Sequence, residues 1–79
     1  MTRQEKREQR IRQNVNQVRF SALDTLLQSE GFDRADTGGS HVHYHHPKFR
    51  GVVTVATHGA FVPSYQVKQA LAAIDAVRV

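Results

Sequence analysis

From Ser40 to His46 the residues take sides in turn: Ser40, Val42, Tyr44 and His46 fall on one side of an extended chain, and His41, His43 and His45 on the other. Side chains of a strand alternate with a period of two, so this run buries Val42 and Tyr44 as a strand whose other face stays wet. Gly38 and Gly39 precede it and read as a tight hairpin turn, because both can adopt positive φ without steric cost. That turn implies an earlier strand, over residues 32–37. After it, PKFRG (47–51) reads as a second turn, and VVTVAT (52–57) is a β-branched run that makes a third strand. Strands joined by connections this short pair antiparallel.

Helical patterns flank the strands. MTRQEKREQRIRQNVNQV (1–18) lacks Gly and Pro and predicts a helix frayed at its start. Ser21 reads as the N-cap of a second helix, with Asp24 three residues on reaching back as in a capping box, and Leu23, Leu26 and Leu27 form its apolar stripe. Gly31 stops that helix in a left-handed conformation, and Phe32 folds back on it. Beyond HGAF (58–61), Ser64 reads as the cap of a last helix whose Val67, Ala70, Leu71, Ile74 and Val77 share a face. The expected fold is α+β: helix, three-stranded antiparallel sheet, helix, with an extra N-terminal helix. Its core is expected from Leu23, Leu26, Val42, Tyr44, Val53, Val55, Leu71 and Ile74.

At 79 residues the chain has room for one domain. No apolar run is long enough for a signal peptide or a membrane span, and no cysteine supplies a disulfide or thiolate ligand. These features predict a cytoplasmic protein. The net charge is +4 and the isoelectric point about 10.1. Up to Arg19, six cations (Arg3, Lys6, Arg7, Arg10, Arg12, Arg19) face only Glu5 and Glu8, while the remainder is balanced. The reading divides the chain into a basic helical extension, 1–19, and a nearly neutral domain, 20–79. A basic extension of this kind suits sequence-independent attraction to phosphates; a solvated helix is the plainer alternative.

The histidines admit three readings. His41, His43 and His45 form overlapping His-x-His pairs on one strand face, a spacing by which two imidazoles can share a zinc ion. A site needs further donors, which Asp33, Asp36 or His58 would have to bring from elsewhere in the fold, and no metal or other cofactor is expected. An open sheet face that merely wets its histidines is the reading for His43, His45 and His46. His41 stands apart, because it follows a Gly-Gly-Ser turn that lets another backbone approach closely. No phosphate-cradling Gly-Lys-Ser/Thr loop, nucleophile elbow or pair of carboxylates accompanies them.

The ordered segments GSHVHYHHP (39–47), TVATHG (54–59) and ALDTLLQSEGF (22–32) resemble the HicA family of toxins from bacterial toxin–antitoxin pairs. The resemblance covers the chain from about Phe20 onward. It implies a fold similar to a double-stranded-RNA-binding domain, cleavage of mRNA that arrests translation and growth, a catalytic histidine at His41, and neutralisation by a HicB-like antitoxin. The chain departs from the family's pattern at Ala56, where the family usually carries proline, and in GAFVPSY (59–65), where it often carries lysines.

The chemistry fits that implication. A ribose 2′-hydroxyl attacks the adjacent phosphate once a base takes its proton, and imidazole, with a solution pKa of about 6.5, serves as base or acid near neutrality without a metal. His41 is the expected general base and His43 or His58 the possible acid. Gly39, Ser40, Lys48, Arg50, Lys68, Arg7, Arg10 and Arg12 are the expected RNA contacts. A non-catalytic RNA-binding module, and a metal-binding or protein-interaction domain, remain the alternatives. The oligomeric state is not legible.

Overall fold

The computed structural model describes all 79 residues. In chain order the elements are α1 (Arg3–Gln13), α2 (Phe20–Ser29), β1 (Asp33–Asp36), β2 (His41–His46), β3 (Phe49–Ala56) and α3 (Ser64–Val77). The strands form one antiparallel sheet in the order β1-β2-β3. One face carries α2 and α3; the other is open. All eight expected core residues are buried in a cluster of 17. Val67, Ala70, Leu71, Ile74 and Val77 line the buried face of α3, as their spacing requires. Burying a leucine such as Leu27, which is wholly inaccessible, contributes about 2 kcal/mol.

Helix α1 starts at a capping box. Thr2 Oγ1 accepts the Glu5 N–H, and Glu5 Oε1 accepts the Thr2 N–H, each at 3.1 Å. The helix is docked rather than free. Ile11 enters the common core, Arg12 Nη2 meets Asp75 Oδ1 at 2.7 Å, and Arg78 bridges Glu8 (2.7 Å) and Glu30 (2.8 Å). The hydrogen bond from Arg78 holds the Glu8 carboxyl at about 2, well below its ordinary 4.5, against the opposing effect of burial. Glu8 therefore ionises more readily folded than unfolded. Its stabilising contribution is complete above about pH 4.5 and is lost as pH falls from there through about 2. Glu8→Gln should flatten the fall in melting temperature between pH 5 and 2, followed by circular dichroism; a slope equal to the parent's would show that this ion pair does not drive acid unfolding.

Helix α2 begins two residues earlier than expected. Arg19, extended at ψ 150°, occupies the N-cap position without a side-chain cap, so Ser21 lies inside the helix. Asp24 makes no capping box because it is drawn to other partners. Its Oδ1 accepts the hydroxyl of Tyr44 at 2.7 Å, Gln28 Nε2 at 3.0 Å and Arg34 Nη1 at 3.1 Å. Burial, the largest single influence, pushes this carboxyl up, but the hydrogen bonds of Tyr44 and Gln28 and the charge of Arg34 together bring it below its ordinary value. Tyr44 in turn is pushed upward by burial and by the bond to Asp24. The helix ends as expected: Gly31 has φ +93°, its N–H reaches Gln28 O, and Phe32 N–H reaches Leu27 O, a Schellman pair. Pro63, not Ser64, holds the N-cap position of α3. The Pro63 carbonyl accepts the N–H groups of Gln66 and Val67, so no serine cap is needed.

Two turns differ from expectation. The β1–β2 connection spans four residues, 37–40, and only Gly38 has positive φ, at 83°. The β2–β3 turn is confined to Pro47 and Lys48, because His46 Nδ1 accepts the Lys48 N–H at 3.0 Å and tightens it. Phe49, Arg50 and Gly51 thus belong to β3. The register shifts between Tyr44↔Val53 and His46↔Phe49, leaving Arg50, Gly51 and Val52 opposite His45 alone.

Candidate active site at one end of the open sheet face

The pleat of β2 sends Val42 and Tyr44 into the core and leaves His41 and His45 exposed and His43 half-buried on the open side. His41 pairs with Ala56 at the last rung of the β2–β3 ladder. One further step is added by Thr57, whose N–H (2.9 Å) and hydroxyl (3.0 Å) both donate to the Ser40 carbonyl. This double contact ties the segment entering His41 to the loop leaving β3. That loop carries His58, whose ring lies edge-on to His41 with centroids 6.3 Å apart. Two N–H···O contacts of about 2.8 Å each to one anionic oxygen place their nitrogens at most about 5.6 Å apart. Rings with centroids 6.3 Å apart can bring one nitrogen each within that separation.

The remaining histidines have different surroundings. His43 Nδ1 lies 3.1 Å from Thr54 Oγ1 across the strand pair. His45 is exposed beside Val52 in a shallow depression of the sheet. His46 is not merely wet: its Nε2 bonds Glu30 O at 3.1 Å while its Nδ1 accepts from Lys48, and its ring packs on Phe32 with centroids 4.8 Å apart. A carbonyl can only accept and an N–H only donate, so Nε2 is the donor to Glu30 and Nδ1 the acceptor from Lys48. It joins the end of α2 to the β2–β3 turn. No three His, Asp or Glu side chains converge as a metal-binding group.

The structure separates the expected cationic contacts. Lys48 and Arg50 sit at the opposite end of the hairpin from His41, five residues of strand or roughly 17 Å away. Lys68 is exposed near the start of α3, at the His41 end of β3, where Gln66 Oε1 accepts the Ala56 N–H at 2.9 Å. Gly39 has open space around it, with no atom within 4 Å of where a Cβ would stand. Arg12 is engaged by Glu8 and Asp75, whereas Arg7 and Arg10 have no carboxylate partner. Sequence reasoning missed Thr57 and Gln66, which brace the His58 loop. Their partners are backbone atoms of segments 17 and 10 residues away, pairings set by the register of β2 against β3 and by the docking of α3 on β3.

Helix, antiparallel three-stranded meander and helix, with imidazoles grouped at one end of the open face, define an α+β module of the double-stranded-RNA-binding type. The chain belongs to the HicA family: the model described as HicA toxin of bacterial toxin–antitoxin matches residues 20–76. Helix α1 lies outside the matched span. No curated relative and no solved structure matches the chain. No helix is long and apolar enough to cross a membrane.

Proposed function

We propose that this HicA-family toxin is a metal-independent endoribonuclease that cleaves mRNA with His41 as general base. The pairing of His41 and His58 at 6.3 Å carries the reading, because phosphodiester cleavage needs a base on one side of the phosphate and an acid on the other. His41 takes the proton of the 2′-hydroxyl. The 2′-oxygen forms a bond to phosphorus as the bond to the 5′-oxygen breaks, and the leaving oxygen receives a proton from His58. His43 is the second candidate for this acid, but its Nδ1 is already bonded to Thr54. Lys68, exposed in the first turns of α3, is the proposed cation for the phosphate's developing charge, and the open space at Gly39 leaves room for the RNA backbone.

A HicB-like antitoxin is the proposed partner. Covering the His41 end and the adjoining open face, where Val52 is half exposed, would exclude RNA sterically. Cytoplasmic action follows from an mRNA substrate. The test is the chemistry of the ends: purified protein in excess EDTA should leave 2′,3′-cyclic phosphate and 5′-hydroxyl termini. Products with 5′-phosphates, or cleavage abolished by EDTA, would point to a metal-activated water instead; RNA that is bound but never cut would favour the non-catalytic module.

A further inference from the structure

The eleven Lys and Arg residues divide into three groups. Arg12, Arg34 and Arg78 are held in ion pairs. Lys48, Arg50 and Lys68 are scattered over the domain. The other five, Arg3, Lys6, Arg7, Arg10 and Arg19, line one groove of about 460 Å³ between α1 and the start of α2, with no carboxylate in its lining. Four of them follow the i, i+3, i+4, i+7 rhythm of a single helix face. Helix α1 therefore directs Glu8, Ile11 and Arg12 at the domain and leaves a ladder of uncompensated cations on another side. Holding like charges this close costs energy unless a polyanion occupies the groove.

The groove is also connected to the His41 end. Val62 N–H donates to Val18 O at 2.7 Å, and the Arg19 guanidinium lies 5.5 Å over the Phe61 ring. Phe61 and Val62 belong to the same short loop as His58, which faces His41. Phe61 remains 42% exposed and offers a ring on which an unpaired base can stack. The groove lining has no exposed large apolar side chain of the sort that anchors a protein interface: Val52, Phe61 and Tyr65 all lie outside it.

Building on the ribonuclease reading, we infer that the groove between α1 and α2 binds the sugar-phosphate backbone of single-stranded RNA and leads it past Phe61 to His41 and His58. All five cations lie outside the span matched by the family model, four of them on α1, and they supply the charge that residues 59–65 lack.

The test uses full-length Lys6→Gln/Arg7→Gln/Arg10→Gln and the charge-conserving Lys6→Arg/Arg7→Lys/Arg10→Lys. Glutamine keeps helix propensity close to that of Lys and Arg, and none of the three side chains takes part in the ion pairs that dock α1. Binding of a fluorescein-labelled 12-nucleotide single-stranded RNA is followed by anisotropy across a KCl series, in the His41→Ala background so that cleavage is slow on the timescale of the titration. The neutral triple variant should bind at least about tenfold more weakly at 0.1 M salt, and its slope of log affinity against log salt should shrink by about 2, since each lost single-strand phosphate contact removes about 0.7. The charge-conserving variant should keep the parent slope. Unchanged affinity and slope in the neutral variant would overturn the inference, as would a loss confined to capture of the antitoxin. Should the parent bind RNA without cutting it while the neutral variant still loses slope, catalysis fails and the groove stands.

Discussion

His41→Ala is expected to cut RNA at least about 10²-fold, and up to about 10⁴-fold, more slowly than the parent, the usual loss when a general base is removed. Its expression should no longer arrest growth. The fold should survive, because His41 is exposed and its one side-chain hydrogen bond is with Ser40 Oγ at 3.3 Å. Melting temperature and RNA affinity should therefore stay near the parent's while the single-turnover cleavage rate collapses. His58→Ala should fall in the same range, and His43→Ala less. Were His41→Ala to cut at the parental rate while His43→Ala did not, the base would have to be moved two residues along the strand. Tolerance of all five histidine substitutions would leave an RNA-binding module.

The second large effect concerns stability. Asp24→Ala removes the acceptor shared by Tyr44, Gln28 and Arg34. Tyr44 is wholly inaccessible, so its hydroxyl is left without a partner, at a cost of about 1–3 kcal/mol. The contacts of Arg34 and Gln28, both open to solvent, are lost with it. For a domain of this size the orphaned hydroxyl alone lowers the melting temperature by about 4–24 °C. Tyr44→Phe alone should cost about 1–2 kcal/mol, because Asp24 keeps two donors. The double variant should be less destabilised than the sum of the single ones, since the orphaned hydroxyl is then absent. Strict additivity in that cycle would mean that the hydroxyl finds water once Asp24 is gone.

Family membership rests on segments that lie close together in the chain, and those were readable. Alternation from Ser40 to His46 assigned Val42 and Tyr44 to the core, the leucines of α2 and the apolar face of α3 found their burial, and Gly31 ended its helix as a left-handed glycine. The capping signals were less decisive. Thr2-x-x-Glu5 and Ser21-x-x-Asp24 have the same local form, yet only the first makes a capping box. At the first site nothing competes for the side chains. At the second, Asp24 faces Tyr44 and Arg34 from the sheet, and a charge-assisted bond to a buried hydroxyl outweighs a helix cap exposed to water.

Local pattern by itself therefore determined the elements, their order, which face of each is apolar and which histidine follows the glycine turn, because these depend on periodicity and on conformational limits within a few residues. Everything that depends on bringing distant segments together was decided by tertiary structure. The register of β2 against β3 sets His41 beside the loop of His58 and carries Lys48 and Arg50 to the far end of the hairpin. Docking of α1 through Ile11, Glu8 and Arg12 commits one of its faces to the domain and leaves the cations from Arg3 to Arg10 facing a groove. His46, alike in sequence to its neighbours, becomes a clasp between α2 and the β2–β3 turn. An imidazole's role is set by the donors and acceptors around it, and those arrive only when the chain has folded.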